Sequence, residues 1–99
     1  MIMITGTILA RPDTFDALRE TGIEHSRRSR AEPGCVSHNV HVDCENPLRL
    51  VFVERWQDRA AVAAHFKVKA SIDFVMSVRK LAAAAPEIEI LDTTPVSMG

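Results

Sequence analysis

The sequence predicts an α+β fold of ferredoxin-like type, βαββαβ, with a four-stranded antiparallel sheet and helices on one face. Three observations predict it. Four segments alternate apolar and polar residues with the period of a strand. Helical segments separate the first strand from the second and the third from the fourth. The second and third strands are joined by a short run of turn residues, which makes them an antiparallel hairpin. The chain has 99 residues, the length of a single domain. Its core is expected over about residues 2–92, with 93–99 as a tail or arm.

Ile2 to Ala10 reads as the first strand, with Ile2, Ile4 and Ile8 on one face and Gly6 between them. Pro12 and Asp13 end it and open a helix, Asp13 serving as the cap. That helix runs to about Ala31. Its stripe is Phe15, Leu18, Gly22 and Ser26, flanked by Ala17 and Ile23. Glu32-Pro33-Gly34 breaks it. Cys35 to Asp43 is the second strand, with Val36, His38, Val40 and Val42 on one face. Glu45-Asn46-Pro47 turns the chain. Leu48 to Trp56 is the third strand, with Leu50, Phe52, Glu54 and Trp56 sharing a face. A pairing in which opposed residues sum to about 92 sets Val40 against Phe52, His38 against Glu54 and Asp43 against Arg49. Asp58 caps a short helix, Arg59 to Phe66. A longer helix, about Ala70 to Ala85, carries Phe74, Val78, Leu81 and Ala85 at helical spacing and ends at Pro86. Glu87 to Leu91 is the last strand.

Composition excludes several classes. Apolar residues are 46% and charged residues 25%, so the chain is not disordered. A net charge of −1 argues against a non-specific nucleic-acid binder. The basic run Arg27-Arg28-Ser29-Arg30 reads as a solvated helix end with Glu24 within ion-pairing reach. No apolar run suffices to cross a bilayer, and the first ten residues lack the basic start of a signal peptide. The expectation is a soluble cytoplasmic protein with no nucleic-acid or membrane partner. Cys35 and Cys44, on one strand, would lie roughly 30 Å apart, too far for a bridge.

The face opposite the helices would expose Met3, Leu9, Val51 and Val53 among polar groups. Burying it against a second copy predicts a homodimer through the sheet face. The inner face holds the candidate site. His38 among valines, Glu54 beside it, Trp56, and His65 on the short helix would line a cavity between sheet and helices. An imidazole beside a carboxylate in a semi-apolar pocket is a tunable general base. Each residue also has a plainer reading: a hydrogen-bonded core histidine, a carboxylate neutralising Arg55, a core indole. His38 and His41 point to opposite faces, and no metal-ligand spacing or glycine-rich phosphate loop is present, so neither metal nor cofactor is expected.

Ser29-Arg30-Ala31-Glu32-Pro33-Gly34-Cys35, then His41, Asn46-Pro47, Val53-Glu54-Arg55-Trp56 and Ala64-His65-Phe66, in this order and spacing, resemble the antibiotic biosynthesis monooxygenase family. The resemblance spans about residues 2–92. It implies a dimeric α+β barrel and oxygenation of phenolic or quinol substrates without metal or flavin. The sequence departs from the family at His38, where many members carry Tyr. It also departs at Ala70-Ser71, where many carry a second His. The haem-degrading branch expects an Asn on the first strand, where Thr5 and Thr7 stand, and a helical His where Ala70 stands.

These readings together predict a cofactor-independent monooxygenase that converts a quinol or phenol to a quinone with O2. His38 or His65 is the base and Glu54 its orienting carboxylate. Trp56, Phe66, Val40 and Phe52 hold the small aromatic substrate. The alternatives are a dimeric small-molecule binding domain without turnover, and a non-oxidative isomerase or cyclase on the same barrel.

Overall fold

The computed structural model describes residues 1–99. The elements follow the expected order: β1 (Ile2–Leu9), α1 (Phe15–Ser29), β2 (Cys35–Asp43), β3 (Asn46–Trp56), α2 (Arg59–Lys67), α3 (Lys69–Leu81) and β4 (Glu87–Asp92). The strands lie in the order β2-β3-β1-β4, every neighbouring pair antiparallel. The hairpin β2–β3 therefore inserts β3 between β1 and β2, the split βαβ arrangement of the ferredoxin-like plan. No helix is long and apolar enough to cross a membrane.

The register sets the inner face. Val40 opposes Phe52 and His38 opposes Glu54, as cross-strand pairing of like with like and of opposite charges favours. Leu50, Phe52, Glu54 and Trp56 are all buried on the helix side, with Ile2, Ile4 and Ile8 beside them. Two apolar clusters result. One joins Ile8, Leu18, Leu50, Phe52 and Val78. The other joins Ile2, Ile4, Trp56 and Val62.

Several boundaries differ from the sequence reading, each for a local reason. Asp13 does not cap α1; Thr14 is the cap residue, and its hydroxyl donates to the Leu81 carbonyl at 2.7 Å instead. The cap side chain thus ties two elements together. Asp13 is left in an exposed ion pair with Arg11. Ala17 is exposed. The buried face of α1 continues through Gly22, His25, Ser26 and Ser29 and is mostly polar. Val36 falls out of the inner face and is half exposed, because a bulge between Cys35 and Ser37 shifts the pairing. A second irregularity sets Asp43 against Asn46 in the backbone, yet its carboxylate still accepts from Arg49 at 2.8 Å. β3 begins at Asn46, two residues before the expected start.

α3 stops at Leu81 rather than Ala85. Ala82 is extended and bridges to Ala10, and the Ala83 amide donates to the Leu9 carbonyl at 2.7 Å. Pairing with β1 replaces the last helical turn and swings the chain into β4. β4 is held in the sheet through β1 alone, and all six of its residues are exposed.

Gly34 is the one residue with left-handed backbone, φ +83°. A Cβ there would lie 2.5 Å from the Ala61 Cβ, so the turn after α1 packs directly on α2. Gly22 is needed for a different reason: a Cβ on it would meet the Phe52 ring at 3.0 Å. The gap in the α1 stripe is where that ring sits.

Candidate functional site

Between the two apolar clusters runs a buried polar seam. Four elements supply it. His25 and Ser26 come from α1, His38 from β2, Glu54 and Trp56 from β3, and His65 from α2. His38 has no exposed surface, and His25, His65 and Glu54 are also buried. The rings of His25 and His38 have centroids 5.0 Å apart, those of His25 and His65 5.3 Å, and those of His38 and His65 5.7 Å.

Hydrogen bonds hold most of these groups. His38 Nδ1 and Ser26 Oγ share a hydrogen bond of 2.8 Å. Arg30, the last residue of the basic run, donates to the His38 carbonyl at 2.8 Å and clamps β2 to the end of α1. His65 Nδ1 donates to Glu32 Oε1 at 2.9 Å. Glu32 belongs to the Glu-Pro-Gly turn, so that turn both reverses the chain and orients an imidazole. The Trp56 indole N–H donates to Glu54 Oε1 at 3.0 Å. With these bonds made, His38 Nε2 and His65 Nε2 both face Glu54 Oε1, at 3.2 Å and 4.0 Å. The shorter approach is off the hydrogen-bonding direction, so His38 Nε2 has no bonded partner.

His25 is the residue that sequence reasoning missed. It stacks on Phe74 with centroids 3.9 Å apart and planes 1° from parallel. Burial, then the neighbouring His38 and His65, and last Arg28, lower its pKa from 6.5 to about 3. It is a neutral imidazole near neutral pH, and its Nδ1 has no partner. Its position was legible: His25 lies seven residues after Leu18 and three after Gly22, on the stripe already traced through the helix. The fold also gathers three histidines from separate elements. His25, His38 and His65 place ring nitrogens within 4.8 Å of one another. Spacing along the chain could not show this, because the three lie on separate elements.

A cavity of about 560 Å³ opens beside the seam, between α3 and the β1–β4 edge. Its floor is Gly6 and Phe52, its walls include Phe74, Val78 and Ile88, and Glu54 and His25 stand at its inner end. A smaller adjoining space is lined by His25, Glu54, His65 and Phe66. His38 and Trp56 lie on the same side of the sheet, with centroids 6.3 Å apart. Of the residues expected to hold a substrate, Phe52 lines the larger cavity and Phe66, 44% exposed, lines the smaller one. Trp56 is fully buried under His65, and neither it nor Val40 lines either space. Cys35 packs against the Trp56 cluster; burial and the carboxylates of Glu54 and Glu32 push its thiol pKa up, which suits a packing role.

The family model described as antibiotic biosynthesis monooxygenase matches residues 1–76. The chain belongs to the antibiotic biosynthesis monooxygenase family. A Synechocystis protein described as uncharacterized protein sll1783 is 37% identical over 92 residues, 90% of this chain. This chain spans 60% of that relative's length. Among solved structures, Rv0793 from Mycobacterium tuberculosis superposes with a TM-score of 0.90, at 23% identity, over 97% of each chain. A crystal structure of an antibiotic biosynthesis monooxygenase gives 0.88, at 24% identity, over 96% of this chain and all of that one. PA3566 from Pseudomonas aeruginosa gives 0.85, at 26% identity, over 95% and 94%. These likenesses show that the βαββαβ architecture is the monooxygenase family's own.

In this family member the two departures noted in the sequence fall at informative places. His38, the first of them, has no exposed surface. Ala70 is half-buried at the start of α3, and the adjacent Ser71 hydroxyl sits 3.5 Å from His65 Nδ1.

Proposed function

We propose that the protein is a cofactor-independent monooxygenase that oxidises a quinol or other phenolic aromatic to a quinone with O2, working as a homodimer in the cytoplasm. The observation that carries this reading is the Glu54 carboxylate. It stands at the inner end of an apolar cavity of about 560 Å³ and is backed by two imidazole nitrogens that have no other bonded partner on that side. The volume suits a small aromatic ring system.

The substrate lies between Phe52, Phe74 and Ile88, with its hydroxyl toward Glu54. Glu54 with His38 and His65 takes the phenolic proton, as general bases within reach of one another. Glu32 and Ser26 hold the two rings in place. The phenolate passes one electron to O2, which partitions into the apolar space. Recombination at a ring carbon forms a hydroperoxide. Loss of water leaves a carbonyl, so one oxygen atom enters the product and the other leaves in water. The substrate supplies all the electrons. Trp56 acts from behind, its N–H fixing the Glu54 oxygen rather than stacking on the ring.

The dimer reading rests on the outer sheet face. Leu9 is 38% exposed, and Met3, Val51 and Val53 are only half-covered in the single chain. The unpaired Cys35 and Cys44 suit a reducing compartment.

The test is oxygen uptake with a panel of hydroquinones, naphthols and flavonoids, using ¹⁸O2 to follow the oxygen atom. Uptake with label in the quinone, lost in both His38→Ala and His65→Ala, is the expected result. Undiminished uptake in both variants refutes the assignment of the base. Tight binding without product identifies a binding domain, and mass-neutral conversion an isomerase or cyclase.

A further inference from the structure

We propose that His25, His38 and His65, together with Glu54, form a binding site for one divalent transition-metal ion, and that metal occupancy and phenol oxidation exclude one another. The ligand site stands on geometry alone. Only its inhibitory consequence rests on the reading above.

Four features of the seam carry the site. First, the donors converge. Ring nitrogens of the three histidines lie within 4.8 Å of one another, and Glu54 Oε1 is 3.2 Å from His38 Nε2 and 4.0 Å from His65 Nε2. Second, two of the nitrogens are buried and unpartnered, His38 Nε2 and His25 Nδ1. Such groups are costly to leave bare in a folded interior. Third, the outer nitrogens are already committed. His65 Nδ1 donates to the Glu32 carboxylate, which leaves its Nε2 aimed inward. His38 Nδ1 shares a hydrogen bond with Ser26 Oγ at 2.8 Å, so its Nε2 is the nitrogen turned toward Glu54. An imidazole anchored on its far nitrogen by a carboxylate or hydroxyl is the usual support of a metal-bound histidine. Fourth, the site has an entry path, because His25 and Glu54 line the large cavity and His65 joins them in the adjoining one.

The donor set decides the class of ion. Three imidazoles and one carboxylate suit Zn²⁺, Co²⁺ or Ni²⁺, whereas Ca²⁺ and Mg²⁺ require oxygen-rich cages. Tetrahedral coordination with bonds of about 2.1 Å sets donors ~3.4 Å apart. Reaching it from 4.8 Å needs each ring to move inward by roughly 0.7 Å. The two imidazole nitrogens face one carboxylate oxygen, at 3.2 Å and 4.0 Å. A proton or a metal ion can bridge them, and each occupies the same electrons. This is why the bound ion removes His38 and His65 from proton transfer.

The experiment uses the full chain after chelator treatment, titrated with Co²⁺. The expected result is one Co²⁺ per chain with a visible ligand-field spectrum of a nitrogen-rich, low-coordinate site. Thermal unfolding should shift upward by about 10 °C once free metal far exceeds the dissociation constant. His25→Phe, which keeps a ring on Phe74, should weaken Co²⁺ binding at least ~100-fold. Glu32→Gln, which acts through His65, should weaken it ~10-fold. His41→Ala, on the exposed edge of β2, should leave it unchanged. Absence of stoichiometric Co²⁺ in the native chain overturns the site. So does binding that His25→Phe and Glu32→Gln both leave intact. Oxygen uptake should stop in the Zn²⁺-loaded chain and return on chelation, and full uptake by the loaded chain overturns the exclusion. Co²⁺ bound as described, in a chain whose metal-free form oxidises no phenol, supports the site and refutes only the oxygenase reading.

Discussion

His25 should make this protein sensitive to acid over a defined window. In the unfolded chain its pKa is the ordinary 6.5; in the folded chain burial and the two neighbouring imidazoles hold it at about 3. Between those values the unfolded chain takes up a proton that the folded chain refuses. Stability is therefore full above pH 6.5, falls as the pH drops toward 3, and loses nothing more from this group below that. One proton corresponds to a slope of about 1.4 kcal/mol per pH unit, and the whole window to at most about 5 kcal/mol. Small domains have only about 5–15 kcal/mol in total, so the loss is a large share. The perturbation is His25→Phe, which preserves the ring against Phe74 and discards the orphan nitrogen. The assay is a series of urea unfolding curves at pH values spanning the window, for native and variant chains. Their difference cancels the half-buried Asp43, whose carboxyl the Glu45 amide and the Arg49 guanidinium hold low in both. The variant should show a slope shallower by nearly one proton. Parallel curves would refute the account of His25 as a histidine buried neutral.

Other expectations follow from single contacts. Gly6→Val adds a side chain at the cavity floor, where the nearest atoms to a Cβ are 3.8 Å away; folding should be unaffected within about 1 kcal/mol, while KM for the phenolic substrate rises at least ~10-fold. Gly34→Ala forces a side chain into left-handed backbone and against Ala61, and should cost roughly 2 kcal/mol or more in denaturant unfolding. Trp56→Phe keeps most of the buried ring but withdraws the N–H from Glu54 Oε1, for a loss of about 1–3 kcal/mol by the same measurement. Val53→Arg, on the outer face of β3, should convert a dimer to a monomer in sedimentation equilibrium; an unchanged mass would move the interface elsewhere.

Much of this molecule was legible along the chain. The inner faces of β1, β2 and β3 follow from alternation, because a strand's side chains must point to opposite sides at each step. That parity placed Glu54 and Trp56 on one side of β3. Charge and volume matching across the hairpin then set His38 against Glu54. Asp58 capped α2 as its side chain predicts, accepting from the Ala61 amide at 2.9 Å. The motif residues Glu32 and Gly34 also had their explanation in store, since one must orient His65 and the other must admit Ala61.

What the folded chain alone decided was which distant residues meet. His25, His38 and His65 occupy a helix, a strand and another helix, and no local spacing relates them. Their meeting depends on how α1 and α2 dock on the sheet, which is governed by side-chain packing such as the Phe52 ring against Gly22. The end of α3 was likewise settled by tertiary contact. Ala82–Ala85 have strong helical preference, yet backbone pairing with Leu9 and Ala10 outweighs it. That early exit leaves the space between α3 and β4 uncovered, and the cavity exists because of it. Local preferences are properties of neighbours along the chain; a cavity is a property of what fails to touch, and only the assembled layers define it.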